Sequence, residues 1–123
     1  MSTILVVDDS ATIRRMVMAS LRHLKDVRFL QAGNGLEAIE QLALARVDLM
    51  ILDLNMPDMH GLEVVQFVRS HQAYRAIPIV VLTTRSDDIS RDAVLNAGAS
   101  VYLTKPFAPQ TLESCITELL ESV

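Results

Sequence analysis

The stretch VDLMILDLNMPDMHG, residues 47 to 61, decides how the rest of the chain is read. Its first six residues are apolar apart from Asp48, without the polar alternation of a strand that has one wet face. A run of that length and composition reads as a strand buried on both faces, which is the habit of parallel sheets covered by helices. The run then ends on Asp53, with Asn55 and Pro57 following as turn chemistry. A carboxylate at the end of a buried strand is costly unless a partner or a task accounts for it.

Working outward, runs of strand length recur at residues 4–7, 27–30, 49–52, 77–82 and 101–103. Stretches of helical period separate them. The first carries Ile13, Met16, Val17, Leu21 and Leu24, with Ser10 as its N-cap. The second carries Leu36, Ile39, Leu42 and Ala43, and the third Leu62, Val65, Phe67 and Val68. The fourth has Ile89, Ala93, Val94 and Ala97, closed by Gly98 as a left-handed stop. The fifth begins near Pro109 and repeats Leu112, Cys115, Ile116 and Leu119. Five strands alternating with five helices predict an α/β, doubly wound parallel sheet.

The chain of 123 residues is read as a single domain over 1–123, with no room for an output domain. A net charge of −4 and scattered basic residues argue against direct nucleic-acid binding. The lone Cys115 excludes an internal disulfide and, with the absence of a leader-like or membrane-spanning segment, places the expected protein in the cytoplasm. His23, His60 and His71 lack metal-ligand spacing and are expected at the surface. Tyr74 is expected at the surface or packed at an edge, Cys115 on an apolar helix face, and Met56 beside the acid at position 53.

Parallel strands share one edge at their C-terminal ends, where open α/β sheets bind ligands. That edge receives Asp8 and Asp9, then Asp53, then Thr83 and Thr84, then Lys105. Each has a plain reading by itself: the acid pair as a helix cap, Asp53 as a turn residue, the threonines as strand-end or capping residues, Lys105 as a solvated charge. Four such coincidences on a single edge are a poor account of the set. Three close carboxylates call for a cation, and an all-oxygen set without cysteine or paired histidines suits Mg²⁺. Magnesium so held commonly completes its shell with phosphate. An aspartate can be the nucleophile toward phosphorus, with Lys105 and Thr83 answering the phosphoryl oxygens.

The segments ILVVDDS, MILDLNMPDMHG, IPIVVLTT and VYLTKPF, in this order and spacing across nearly the whole chain, resemble the receiver domains of bacterial response regulators. The segment DDSATIRRMV is similar to those of stand-alone, chemotaxis-type receivers. The resemblance implies a flavodoxin-like (βα)5 sandwich of strand order 2-1-3-4-5. It implies Asp53 as phosphoacceptor, Asp9 as a direct Mg²⁺ ligand, Asp8 reaching the metal through water, and the backbone carbonyl of Asn55 as a further ligand. Thr83 and Tyr102 become the switch pair, Lys105 the charge partner, and Lys105-Pro106 a cis bond. Asp58 and Gly61 would shape the loop over the acceptor, and Arg85 would bear on the lifetime of the phosphorylated state.

A histidine kinase or phosphotransfer protein is the implied donor and a downstream protein the implied target. The target would be read through the fourth helix, fifth strand and fifth helix, by a monomer that catalyses only its own phosphotransfer and dephosphorylation. Three rivals stand beside this reading. A haloacid-dehalogenase-like, Mg²⁺-dependent phosphohydrolase needs an acid two residues after its nucleophile, where Asn55 stands. A dinucleotide site is suggested by Gly33-Asn34-Gly35-Leu36-Glu37-Ala38, which a tight strand-to-helix turn explains better. A pseudo-receiver would lack one of the acids or the lysine, all of which are present. A receiver fragment of a longer regulator is the remaining alternative.

Overall fold

Alternate residues of each central strand point to opposite faces, and the two faces find different helices. In the computed structural model, which describes residues 1–56 and 59–121, the order is β1 (Ser2–Val7), α1 (Ala11–Ser20), β2 (Val27–Ala32), α2 (Gly35–Leu44), β3 (Leu49–Leu52), α3 (Gly61–Ser70), β4 (Ile79–Thr83), α4 (Asp88–Ala97), β5 (Val101–Thr104) and α5 (Pro109–Glu121). The five strands form one parallel sheet of order β2-β1-β3-β4-β5, as expected.

Ile4, Val6, Leu49, Ile51, Val80 and Leu82 pack with Val17 and Leu21 from α1 and its C-cap and with Leu112 and Ile116 of α5. Leu5, Val7, Met50, Leu52, Ile79 and Val81 pack on the other face with Ala38 and Leu42 of α2, Val64, Val65 and Val68 of α3, and Val94 of α4. Burying side chains of this size contributes about 1.5–3 kcal/mol each, so the two-sided strands are the main reason the sheet holds together. The expectation of strands apolar on both faces holds for β1, β3 and β4; β2 and β5, at the edges, are partly exposed.

Three features depart from the pattern reading. β4 begins at Ile79 rather than at residue 77, because Pro78 has no N–H to donate; Ile77 packs against the core instead. β2 runs on to Ala32, past the end of its apolar run. The apolar faces are also narrower than their periodicity suggested, with Met16 at 50%, Leu36 at 53% and Ile89 at 84% exposure, and Ala43 exposed as well. The caps match the sequence: Ser10 accepts from the Ile13 amide, and Gly98 closes α4 at φ 119°.

Arg69 gave no signal in the sequence, where it reads as an exposed helix-end charge, yet it binds three elements together. Its Nε donates to the Gly98 carbonyl at 2.9 Å, and its Nη1 to the carbonyls of Ile77 at 2.7 Å and Arg75 at 3.0 Å. Burial lowers the Arg69 pKa from its ordinary value. Arg69→Met keeps the stem and strands those carbonyls, so a loss of about 2 kcal/mol is expected, read as a lower urea midpoint at unchanged m-value. Arg69→Lys should recover less than half, since one ammonium cannot reproduce the planar fork.

Candidate functional site

The ladder carries the site residues one step beyond the strands. Asp8 donates its amide to Ala32 O (3.1 Å), Asp53 to Val7 O (2.9 Å) and Lys105 to Thr83 O (2.8 Å). Hydrogen bonds of the sheet therefore fix the backbones from which these side chains project. Among the described residues, the buried polar or charged side chains are Asp8 (4% exposed), Asp53 (5%) and Thr83 (0%), and all stand at this edge.

Asp8, Asp9 and Asp53 each offer a carboxylate oxygen within 4.8 Å of the others. Lys105 Nζ lies 2.7 Å from Asp8 Oδ2 and 3.7 Å from Asp53 Oδ1. The lysine is thus bonded to Asp8 and only near Asp53, a bias the sequence did not reveal. Asp53 Oδ1 is buried with no hydrogen-bond partner among the described residues. Burial pushes the Asp53 pKa above its ordinary value; Lys105 opposes this, Asp8 adds to it, and hydrogen bonding from the Asn55 backbone and the Thr83 hydroxyl lowers it. A buried acid with an orphaned oxygen beside two more carboxylates is a donor set that suits a hard divalent cation.

The loops around the cluster are tied by specific contacts. Asn55 Nδ2 donates to Thr84 Oγ1 at 3.3 Å, which joins the β3–α3 and β4–α4 loops. Gly61 follows the β3–α3 loop where a Cβ would sit 2.7 Å from the Asp53 carbonyl and from Leu54, so only glycine lets α3 start this close to the acid. Arg85 has its backbone held from both ends: its amide donates to Thr83 Oγ1 at 3.3 Å, and its carbonyl accepts from the Tyr102 hydroxyl. Tyr102 is half-buried, and burial raises its pKa, with Asp87 adding to the rise. The Lys105-Pro106 bond is cis.

Other expectations can be placed as well. His23, His60 and His71 are exposed, and His60 forms the N-cap of α3 with Glu63. Cys115 is half-buried against the α1/α5 side of the core, and burial raises its thiol pKa. Tyr74 stacks on His71 at 4.4 Å, and Met56 is buried. Asp58 lies outside the described residues. Of the glycines in the dinucleotide-like motif, which lie where β2 gives way to α2, Gly35 is also required by packing, since a Cβ there would meet Met59 at 2.6 Å, whereas one on Gly33 would come no closer than 3.4 Å to a neighbour. Among the described residues no helix is long and apolar enough to cross a membrane.

A parallel sheet of this order with an acidic, cation-suited cluster and a lysine at its carboxyl edge defines a class, and the chain belongs to it: the family "Response regulator receiver domain" matches residues 4–117. Within that class the chain is similar to chemotaxis proteins. It is 41% identical over 118 residues to "Chemotaxis protein CheY1" of Helicobacter pylori, covering 95% of each chain. The chemotaxis response regulator CheY4 of Vibrio cholerae superposes with a TM-score of 0.87 at 37% identity, over 97% of this chain and 98% of that one. The Mn(2+)-bound form of response regulator Rcp1 superposes at 0.89 with 28% identity, over 100% and 97%.

Proposed function

We propose that this protein is a phosphorylation-dependent signalling switch of the chemotaxis type, with Asp53 as the acceptor. The observation that carries the reading is Asp53 Oδ1, a buried oxygen without a hydrogen bond, 3.7 Å from Lys105 and inside the three-acid cluster. In the transfer, an Asp53 carboxylate oxygen attacks the phosphorus of a phosphohistidine on a kinase or phosphotransfer protein. The P–O bond forms as the P–N bond breaks, and the imidazole nitrogen leaves and takes up a proton. Lys105 turns its ammonium from Asp8 toward the new oxygens, and Thr83 donates its hydroxyl to them.

Asp8, Asp9, Asp53 and the backbone carbonyl of Asn55 would hold Mg²⁺, which when bound neutralises charge at the phosphoryl group. The Thr83 oxygen also accepts from the Arg85 amide, so swinging the hydroxyl onto that group draws the oxygen away from the amide. Its reorientation frees the Arg85 backbone, whose carbonyl is what Tyr102 holds, so the change passes from the acceptor to β5. The neighbouring α4 is suited to respond. Val94 is its one buried residue, and a groove of about 330 Å³ separates its N-terminal half from Leu54 and Leu62. The α4–β5–α5 face would then present the state to a downstream protein, the switch acting as a cytoplasmic monomer.

A phosphohydrolase is disfavoured because Asn55, where an acid would be needed, is neutral and hydrogen-bonded to Thr84. Addition of beryllium fluoride with Mg²⁺ should move the amide resonances of Thr83, Arg85, Tyr102 and α4 in the wild type and leave those of Asp53→Asn in place. Shifts confined to the strand ends, with α4 and Tyr102 unmoved, would count against the switch.

A further inference from the structure

Asp8 has every polar group occupied. Its amide donates to Ala32 O, its Oδ1 accepts from the Ser10 amide at 2.9 Å, and its Oδ2 accepts from Lys105 at 2.7 Å. Its carbonyl accepts from Arg14 Nη1. Arg14, on α1, also donates from Nε to Gln31 Oε1 of β2 at 2.9 Å. One planar guanidinium thereby spans helix, β1 end and edge strand.

The carbonyl that Arg14 holds belongs to the peptide joining Asp8 to Asp9, and the plane of that peptide, together with the rotation about the Asp9 N–Cα bond, sets the direction of the Asp9 Cα–Cβ bond. Asp9 is exposed, and its carboxylate makes no hydrogen bond or ion pair among the described residues. Asp9 is nonetheless one of the three acids whose oxygens converge within 4.8 Å. Nothing on the Asp9 side chain itself accounts for that convergence, so its placement comes from the backbone.

We infer that Arg14 is a positioning residue for the divalent-cation site, acting through the Asp8–Asp9 peptide plane and braced by Gln31. The inference rests on the metal-assisted reading above and extends it to a residue that touches neither metal nor phosphoryl group. Two effects of opposite sign attend the removal of Arg14. Loss of its positive charge near three carboxylates favours a cation, whereas loss of the fork frees the peptide and disfavours one. Arg14→Lys separates them, because it keeps the charge and cannot bridge Asp8 O and Gln31 together.

Mg²⁺ binding to the full chain is measured by calorimetry at 25 °C, alongside thermal midpoints in EDTA. Arg14→Lys is expected to weaken Mg²⁺ about 10-fold, the lower end for losing an outer partner of a metal ligand. Gln31→Ala, which leaves the bond to Asp8 but removes its brace, should weaken it less and in the same direction. This exposed position also supplies the test should Arg14→Lys fail to fold. A purely structural Arg14 would lower the midpoint in EDTA and leave the affinity of the folded protein alone. Affinities of the folded variants within twofold of wild type overturn the inference while leaving the metal site standing. A wild type that binds no Mg²⁺ overturns the site reading itself, and the inference with it.

Discussion

Lys105→Met is expected to destabilise the protein by about 3 kcal/mol in EDTA at neutral pH, since taking one partner from a buried ion pair leaves charge uncompensated. Methionine keeps most of the stem, so the loss is electrostatic in origin. The lysine side chain is 13% exposed, and the side chains of its partners Asp8 and Asp53 are 6% and 5% exposed, so solvent does little to screen what remains. The size of the loss should depend on conditions in a way that packing defects do not. Without Lys105 the largest of the influences that lower the Asp53 pKa is gone, and burial together with Asp8 pushes it further up. A carboxyl whose folded pKa lies above its unfolded one destabilises the fold above that pKa and ceases to do so as pH falls through it. The deficit should therefore shrink on acidification. Saturating Mg²⁺ should shrink it too, because without the competing ammonium beside Asp8 and Asp53 the variant binds the cation more tightly and gains more from mass action than wild type. Urea melts at several pH values, with and without Mg²⁺, check both; a deficit indifferent to pH and metal would mean that the lysine serves packing.

Asp53→Asn should change stability in the opposite direction and abolish phosphoryl uptake. The amide removes a carboxylate that burial and Asp8 disfavour. It should stabilise the Mg²⁺-free protein at neutral pH by about 1 kcal/mol, the usual scale of a stabilising point substitution. The sign again follows from the raised pKa: wild type is penalised above the folded pKa, and the gain of the variant fades as pH drops through it. With Mg²⁺ present the order should reverse, because the variant gives up one of the three converging carboxylates. A residue that carries function at the expense of stability shows this pair of signs, and a turn aspartate shows neither.

The parts of this account that were legible in the sequence are those with a strong period or a strong position. The two-sided runs at β1, β3 and β4 fix a covered parallel sheet, and the acids, hydroxyls and lysine at their ends fix the functional edge. The strand order came with the family resemblance and is borne out by the pairing of β1 with both β2 and β3. What stayed hidden depends on distances between elements. Arg69 and Arg14 look like ordinary helical charges in the sequence, because the contacts that matter most, to Gly98, Ile77 and Arg75 in one case and to Asp8 in the other, are with backbone carbonyls, and a carbonyl leaves no mark on the sequence. The preference of Lys105 for Asp8 over Asp53 is a matter of one ångström. Ile89 and Leu36 fit a helical apolar face by type and spacing, yet both are exposed, because spacing alone does not say how far round a helix its neighbours reach.

The central claim is that the orphaned oxygen of Asp53 exists to be phosphorylated. Intact mass of the purified chain after incubation with a small phosphodonor and Mg²⁺ tests it most directly. Wild type should gain a single phosphoryl group that hydroxylamine removes, as an acyl phosphate requires, and neither Asp53→Asn nor wild type in EDTA should gain one. Equal labelling of wild type and Asp53→Asn, or no labelling of either, would contradict the assignment of the acceptor.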